Sequence, residues 1–172
     1  MFKMHLRTSW DFYSLFYNSE TYFSRQSLSD SSVCVSNCLF KSISSSSHGG
    51  ALYCTSAFYF IVKSSSFFSC RTSGGYGGAI YYSNGFGQSI LYEVCGYDCF
   101  TTYSNPYFQF AYIQVNYAAS RKNYFNYSSI SRCVNTNSNS WHTLFLYGGN
   151  IFCPSVNVSL NKCSNGGIRC DP

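Results

Sequence analysis

The amino-acid sequence predicts an all-β fold, a right-handed parallel β-helix of about five coils. Three observations point to it: a composition that favours strands, a motif that occurs twice in one register, and cysteines that recur along the chain. The 172 residues are 20% aromatic and 10% charged, and Tyr, Phe, Ser, Asn and Gly dominate. Such residues suit strands and turns better than long helices, which makes an all-β fold the first expectation.

The second observation is the repeated motif. The stretch FKSISSSSHGGALYC, residues 40–54, aligns without a gap on FSCRTSGGYGGAIYY, residues 68–82. Both begin with Phe and share Gly-Gly-Ala, one aliphatic residue and Tyr. A chain corner packed on an identical corner has little room for side chains, which explains the glycines. The predicted repeat positions are Phe40, Gly49, Gly50, Ala51, Leu52, Phe68, Gly77, Gly78, Ala79 and Ile80.

This alignment predicts contacts between neighbouring coils. We expect Phe40 to stack near Phe68, and Gly49-Gly50 to lie near Gly77-Gly78, one coil apart. Ala then starts each strand, and the aliphatic residue and the Tyr after it fall on alternate faces. Equivalent strands of successive coils are expected at a spacing of about 4.8 Å.

The third observation is the regular recurrence of five cysteines. Cys38, Cys70, Cys99, Cys133 and Cys163 follow one another at similar intervals. The sequence around these cysteines recurs as well. CVSNCLF (34–40) resembles VCGYDCF (94–100), and SSSFFSC (64–70) resembles YSSISRC (127–133). We interpret these matches as about five equivalent units of roughly thirty residues, each with two or three short strands between Ser/Gly/Asn turns.

The segment 1–30 lies outside the repeat, and 31–172 is the predicted repeat domain. We expect the first segment to be an N-terminal cap or a degenerate coil. A cap would protect the end of the solenoid, because an exposed end strand invites aggregation. In that case Ser9 caps a short helix. Helical spacing is found for Trp10, Tyr13, Phe16 and Tyr17.

The cysteine content indicates the compartment. An even number of cysteines favours a secreted or surface-exposed protein, where disulfides persist. We expect disulfides, or thiols stacked in the core, for Cys34, Cys38, Cys54, Cys70, Cys95, Cys99, Cys133, Cys153, Cys163 and Cys170. Two N-glycosylation sequons, at Asn126 and Asn157, favour the same location. Because the N-terminus lacks an apolar signal region, an exported chain of this kind is expected to be a fragment.

The net charge of +5 does not indicate nucleic-acid binding. The 11 basic residues are spread along the chain, and Arg121-Lys122 is the only adjacent pair, so no basic stripe forms. The longest apolar run, residues 57–62, is too short for a membrane span. We therefore expect neither a nucleic-acid partner nor a membrane span within this chain.

The sequence predicts no catalytic residue, cofactor or metal. Of six carboxylates, Glu93 and Asp98 are the only close pair, and a separation of five places them on opposite faces of a continuous strand. His48 has no sequence-adjacent partner. Zinc ligation by the two Cys-x3-Cys motifs would require a turn inside each, because residues i and i+4 lie about 13 Å apart on a strand.

The motifs Gly-Gly-Ala-Leu (49–52) and Gly-Gly-Ala-Ile (77–80), each followed by Tyr, resemble a known repeat. It is the repeat of the polymorphic outer-membrane proteins of chlamydia-type bacteria. The chain is also similar to Cys- and Ser-rich right-handed β-helix surface proteins of parasitic protists. The resemblance implies a β-helix at a cell surface that acts in adhesion, host contact or structural display, without enzymatic activity. Its partner would be a protein or a glycan.

The alternative function is that of a carbohydrate-binding or polysaccharide-cleaving β-helix. Seventeen Tyr and sixteen Phe exceed what one small core hides, so some rings must face outward. Either the rings stack in ladders along the solenoid with their hydroxyls in solvent, or they form an outward row that contacts a carbohydrate or a protein.

Overall fold

The computed structural model describes residues 15–103, 108–134 and 141–172, and this part of the chain is a stack of short β-strands. None of these residues is helical, and every strand pairs in parallel with the equivalent strand one turn before or after it. The predictions of an all-β class and of a parallel β-solenoid are therefore confirmed.

The strands form six layers, a layer being one set of strands that follow one another around the core. The first two layers contain β1 (Leu15–Asn18), β2 (Thr21–Tyr22) and β3 (Gln26–Leu28), then β4 (Ser32–Ser36), β5 (Leu39–Lys41), β6 (Ser44–Ser45) and β7 (Leu52–Cys54). The third and fourth contain β8 (Tyr59–Lys63), β9 (Ser66–Phe68), β10 (Arg71–Thr72) and β11 (Ile80–Ser83), then β12 (Gln88–Tyr92), β13 (Cys95–Tyr97), β14 (Phe100–Thr101) and β15 (Phe108–Gln114). The last two contain β16 (Lys122–Asn126), β17 (Ser129–Ser131) and β18 (His142–Tyr147), then β19 (Asn150–Phe152), β20 (Asn157–Ser159) and β21 (Ile168–Asp171).

Three sheets of six strands surround the core. Sheet A has the order β1-β4-β8-β12-β16-β19, sheet B the order β2-β5-β9-β13-β17-β20, and sheet C the order β3-β7-β11-β15-β18-β21. A small sheet D, β6-β10-β14, follows sheet B along the chain in three layers. Six strands stack through five layer-to-layer steps, so the solenoid has about five turns.

The first layer begins within the segment that the sequence assigned to a cap or a degenerate coil. Residues 15–18 form strand β1, which pairs with β4 from Leu15–Val33 to Asn18–Ser36. The predicted helix is therefore wrong for Phe16 and Tyr17, which lie in this strand. The other predicted helix positions fall in 1–14, outside the described residues.

The pairing register confirms one expected contact between layers and corrects another. Leu52 pairs with Ile80, as the gapless alignment requires. Phe40, however, pairs with Phe67, and the two rings are stacked with centroids 4.8 Å apart. The predicted Phe40–Phe68 stack is therefore wrong by one position. Phe68 pairs instead with Lys41 and Tyr97, and its side chain is partly exposed.

Inward-facing rows of side chains form one continuous core. Most of its members are apolar and fully buried, and several are aromatic rings stacked from layer to layer. Within the third layer Phe60 of sheet A and Tyr82 of sheet C also stack, with centroids 4.6 Å apart, and the Tyr82 hydroxyl donates to the Ala57 carbonyl at 2.8 Å. Each fully buried ring contributes about 1.5–3 kcal/mol to the free energy of unfolding. The core therefore holds the sheets, and hence their outer faces, in fixed positions.

Candidate functional site

The Gly-Gly corner, which the sequence singled out, requires glycine for two separate reasons. Gly49 and Gly77 have φ of +67° and +71°, the left-handed region that side chains disfavour. A Cβ on Gly78 would lie 2.5 Å from the backbone of Phe100 in the next layer. Gly50 N–H donates to the Gly77 carbonyl at 3.1 Å, so the two corners lie on adjacent layers.

The residues after the Gly-Gly corner continue into the core. Ala51 N–H donates to the Ala79 carbonyl at 2.9 Å. The side chains that follow are completely buried, namely those of Ala51, Leu52, Ala79 and Ile80. These positions build the scaffold and present no side chain to a ligand.

Two further columns of corners flank sheet B, and they use residues other than glycine. Each corner residue has φ between 46° and 56°, which is uncommon outside glycine. The first column follows sheet A and consists of Ser19, Asn37, Ser64, Glu93, Tyr127 and Ser155. The second column follows sheet B and consists of Ser42, Ser69, Asp98, Arg132 and Leu160. From the second layer onward, the first-column and second-column residues of a layer are separated by the same number of residues. The segment that contributes the sheet B strand therefore has the same length in each of these layers.

The residues after the second column form a ladder of hydrogen bonds. Cys70 N–H donates to Cys99 Sγ, and Cys99 N–H donates to Cys133 Sγ, both at 3.4 Å. In the last layer Asn161 provides the acceptor in place of a thiol, and its Oδ1 accepts from Cys133 N–H at 2.7 Å. Buried amides need such partners, because water does not reach them. The thiols are thus hydrogen-bond acceptors in the core.

At the first column serine plays the same role. Ser65 Oγ accepts from Cys38 N–H at 3.1 Å, and Ser128 Oγ accepts from Val94 N–H at 3.0 Å. Cys38 therefore belongs to a different corner from the thiol ladder. The predicted equivalence of five cysteines is wrong at both ends, since Cys163 also lies elsewhere, with its Sγ 3.0 Å from Thr143 Oγ1.

All ten cysteines lie in the described part of the chain, and no two of them are joined by a disulfide in this structure. Buried thiols are Cys34, Cys38, Cys54, Cys70, Cys99 and Cys133, and partly buried ones are Cys95, Cys153 and Cys163. Burial raises the pKa of the Cys99 thiol, which keeps it protonated. Cys170 is exposed, and its hydrogen bond with Cys153 lowers its pKa to about 7. Cys170 is therefore more reactive toward electrophiles than Cys99.

The only close carboxylate pair in the sequence occupies one corner of each column. Glu93 and Asp98 flank β13, which is only three residues long, so the prediction of one continuous strand is wrong. Glu93 Oε2 accepts the Ser64 hydroxyl and Asp98 Oδ2 accepts the Ser69 hydroxyl, both at 2.8 Å. Asp98 also pairs with Arg71 at 3.4 Å. Each carboxylate thus bonds to a serine in the same corner column of the preceding layer.

The two Cys-x3-Cys motifs also lie at different corners. Cys38 is at the first corner, with its N–H on Ser65, whereas Cys99 is in the ladder of the second corner. Within the described residues, no group of three or more His, Cys, Asp or Glu side chains is placed to hold a metal ion.

His48 lies directly in front of the Gly-Gly corner. Its Nδ1 accepts from Tyr76 N–H at 2.9 Å, and its ring stacks on Tyr81 with centroids 4.4 Å apart. Burial, and secondly the charge of Arg25, lower the pKa of His48. The imidazole is therefore neutral at pH 7 and serves as an acceptor for the backbone.

The two sequon asparagines differ in accessibility. Asn126 is partly buried in β16, and the hydroxyl of its sequon serine, Ser128, is buried and donates to the Asn126 carbonyl at 2.7 Å. Asn157 is exposed at the start of β20 in the last layer. Asn157 is thus the more accessible of the two acceptors.

An outward row of rings crosses four layers of sheet C. We call it the aromatic row, and it consists of Tyr53, Tyr81, Tyr112 and Phe145, which are successive register partners. Successive ring centroids are 5.5, 5.1 and 5.4 Å apart. The three tyrosines are partly exposed, and the neighbouring positions of each strand point into the core. The row is therefore a surface feature fixed by core packing.

An arginine bounds the aromatic row at each end. The Arg25 guanidinium lies 4.6 Å from the Tyr53 ring centroid and donates to the Gly49 carbonyl at 2.9 Å. The Arg169 guanidinium lies 5.4 Å from the Phe145 centroid and pairs with Asp171 at 2.7 Å. Both cations are held against ring faces, where the π-systems attract them.

Polar groups lie along one side of the aromatic row. The Tyr112 hydroxyl donates to Gln114 Oε1 at 3.0 Å, and the Ser83 hydroxyl donates to the same oxygen at 2.9 Å. Burial raises the pKa of Tyr112 to about 12 and raises that of Tyr81 as well. The tyrosines are therefore neutral hydrogen-bonding groups at physiological pH.

Sequence reasoning found only part of this face. It predicted that the Tyr after each Gly-Gly motif and the aliphatic residue before that Tyr lie on opposite faces of the strand, and this is the arrangement of Tyr53 and Tyr81. It did not single out Phe145, or the two arginines at the ends. The available signal was a ring at the same position of four successive sheet C strands, with Arg169 at that position in the last strand, but unequal layer lengths hide the alignment.

None of the described segments forms a helix long and apolar enough to cross a membrane. In comparisons with known proteins, no family profile, curated protein or solved structure matches this chain.

Proposed function

We propose that this chain is a non-enzymatic β-solenoid that presents a contact surface at a cell surface or outside the cell, in adhesion, host contact or structural display. The observation that carries the proposal is the aromatic row, which spans four layers, is bounded by Arg25 and Arg169, and exposes part of each of its three tyrosine rings. Tyr and Arg are enriched at the centres of protein interfaces, which suits this composition.

The rigidity of the row supports a binding role. Tyr81 and Tyr112 are each held between rings of the adjacent layers, and Tyr53 is held between the Tyr81 ring and the Arg25 guanidinium. Little side-chain entropy is therefore lost when a partner binds. The ring faces cover one another at centroid spacings of 5.5 and 5.1 Å, so the outer surface offers ring edges and hydroxyl groups. Such a surface favours a protein partner over a sugar ring, because a sugar would need an open ring face.

The location rests on sequence observations. An accessible sequon at Asn157 and the likeness of the Gly-Gly-Ala-Leu and Gly-Gly-Ala-Ile motifs to the bacterial and protist surface repeats support an exported protein. A solenoid suits display, because each added layer extends the surface without a new core.

The experiment uses beads coated with the purified chain and counts their attachment to cultured epithelial cells. The test variant carries Tyr81→Ser and Tyr112→Ser in the aromatic row. The control variant carries Tyr92→Ser and Tyr127→Ser, an exposed ring pair on another part of the surface. We expect the first variant to lose most attachment and the second to keep it, with unchanged circular dichroism in both. Equal attachment by both variants, or none by the unmodified chain, counts against the proposal.

The polysaccharide-cleaving alternative makes a different prediction. It requires a carboxylate that acts on substrate, and the candidates are Glu93 and Asp98. Incubation of the chain with acidic and neutral polysaccharides, followed by reducing-end analysis, tests for turnover. Turnover that disappears in Asp98→Ala, with the melting temperature preserved, would replace the adhesion proposal by an enzymatic one.

A further inference from the structure

A groove on the second corner column is not explained by the proposed contact face. It has a volume of about 580 Å³ and is lined by Arg71, Asp98, Phe100, Arg132, Val134 and Leu160. These residues come from four successive layers, so the groove runs along the solenoid axis. Its volume lies within the range of about 300–1,000 Å³ that is usual for small-ligand sites.

The charges in the groove are unbalanced. Asp98 Oδ2 pairs with Arg71 at 3.4 Å and also accepts the Ser69 hydroxyl. Arg71 additionally lies over the Phe100 ring, 4.7 Å from its centroid. The Arg132 guanidinium lies over the Tyr97 ring, 5.7 Å from its centroid, and no described carboxylate forms an ion pair with Arg132. The groove therefore carries a net positive charge, concentrated on the Arg132 guanidinium.

The apolar wall is the second unusual feature. Leu160 is 77% exposed and occupies a left-handed corner, although the other members of its column are Ser42, Ser69, Asp98 and Arg132. Such a position does not stabilise the fold through a branched apolar side chain, because the backbone is strained there and the side chain is exposed to water. With Phe100 and Val134 it forms an apolar wall beside the cations.

We infer that this groove binds a carboxylated sugar, with the carboxylate on Arg132 and Arg71 and the C–H face of the pyranose against Leu160 and Val134. A guanidinium binds a carboxylate through two parallel hydrogen bonds, which a neutral sugar cannot provide. The lining has few hydrogen-bonding groups apart from the two arginines and Asp98. Because Leu160 is 77% exposed, the groove is open to water, so the hydroxyl groups of a bound pyranose keep their hydration while its C–H face covers Leu160 and Val134.

Asp98 has a defined effect in this arrangement. It competes with the ligand for Arg71, so its removal releases a guanidinium for the incoming carboxylate. Asp98→Asn keeps an oxygen acceptor for the Ser69 hydroxyl, and Asn tolerates the left-handed corner. This variant is therefore expected to bind acidic sugar more tightly than the unmodified chain. A cleavage mechanism that uses Asp98 as acid or base makes no such prediction.

The test is isothermal titration calorimetry of the full chain with trigalacturonate, its trimethyl ester and a triglutamate peptide. We expect saturable binding of trigalacturonate, at least tenfold weaker binding of the uncharged ester, and weaker binding of the peptide. Arg132→Gln should weaken trigalacturonate binding about tenfold or more, and Leu160→Asn should also weaken it. Arg121→Gln, which removes the same charge outside the groove, should have no effect. Asp98→Asn should strengthen binding several-fold.

The inference is overturned if trigalacturonate does not saturate, if the ester binds equally well, or if Arg132→Gln has no effect. Peptide binding as tight as that of the sugar would assign the groove to acidic peptides instead, and weaker binding by Asp98→Asn would contradict the role given to that residue. The groove does not involve the aromatic row, so none of these results bears on the attachment experiment. Unchanged circular dichroism of Arg132→Gln and Leu160→Asn excludes misfolding as the cause of lost binding.

Discussion

Phe40 stacks on Phe67 with ring centroids 4.8 Å apart and an interplanar angle of 4°. Tyr22 extends the stack by one layer, at 5.0 Å from Phe40. In the layer after Phe67 the register position is Gly96, and the ring of Phe110 from sheet C fills the space, since a Cβ on Gly96 would collide with that ring. The core thus keeps a continuous aromatic filling even where the repeat in the sequence is interrupted.

This stack predicts opposite outcomes for two adjacent phenylalanines. Phe67→Ala should lower the free energy of unfolding by about 3–5 kcal/mol, because it leaves a cavity between Phe40 and Phe110. Phe68→Ala should cost about 1 kcal/mol or less, because that ring is partly exposed. Urea unfolding followed by circular dichroism measures both. A larger loss for Phe68→Ala would support the gapless register and contradict the one described here.

A second prediction concerns the tight corner. Gly78→Ala places a Cβ about 2.5 Å from the Phe100 backbone and should destabilise the chain by about 1–3 kcal/mol, because two layers must separate. Gly85→Ala is the matched control, since no atom lies within 4 Å of its Cβ position. The comparison is made by thermal unfolding. Equal melting temperatures for the two variants would contradict the assignment of Gly78 to a crowded corner.

The thiol ladder gives a third prediction. Cys99→Val removes the acceptor of Cys70 N–H and should cost about 1–3 kcal/mol, the penalty of an unpaired buried donor. Cys99→Ser should cost less, because Ser65 and Ser128 already perform this function at the other corner. Denaturant unfolding distinguishes the two variants. If valine is tolerated as well as serine, packing and not hydrogen bonding determines the cysteine positions.

The fourth prediction is a pH dependence at His48. Its pKa is lowered in the folded chain, chiefly by burial and then by Arg25, so the unfolded chain binds more protons as the pH falls below about 6.5. The stability that neutral His48 contributes is therefore complete above that pH and is lost as the pH falls. Protonation also removes the acceptor for Tyr76 N–H.

The measurement for His48 is the melting temperature at about pH 7.5 and about pH 5.5, on either side of the ordinary histidine pKa. The unmodified chain should lose stability at the lower pH. His48→Gln, which does not titrate, should lose less, while His142 still titrates in both proteins. An identical loss in the two proteins would show that His48 does not contribute to the pH dependence.

The architecture was predictable because its physical causes are local in the sequence. Gly-Gly at a crowded corner, short apolar runs and a repeat of roughly thirty residues together indicate a parallel solenoid. The match of SSSFFSC to YSSISRC was also in the correct register, since Ser65 and Ser128 are equivalent and Cys70 and Cys133 are equivalent. These positions flank the segments along sheet B, which have the same length from the second layer onward.

The details that failed depend on unequal layer lengths. Between the second and third layers, the pairing of Phe40 with Phe67 and the pairing of Leu52 with Ile80 differ by one position in their sequence offset. A gapless alignment therefore cannot be right at both. Cys38 was grouped with Cys70 because the residues after both corner columns are inward-facing and similar in sequence. The groove was missed because its residues converge only when four layers are stacked.

The most direct test of the solenoid and its register is a nuclear Overhauser spectrum of the folded chain with labelled Phe rings and Leu and Ile methyl groups. We predict contacts of the Phe40 ring with Tyr22 and Phe67, and methyl contacts between Leu52 and Ile80, which are parallel register partners. A contact of Phe40 with Phe68 in place of Phe67, or the absence of a Leu52–Ile80 contact, would contradict this register of the solenoid.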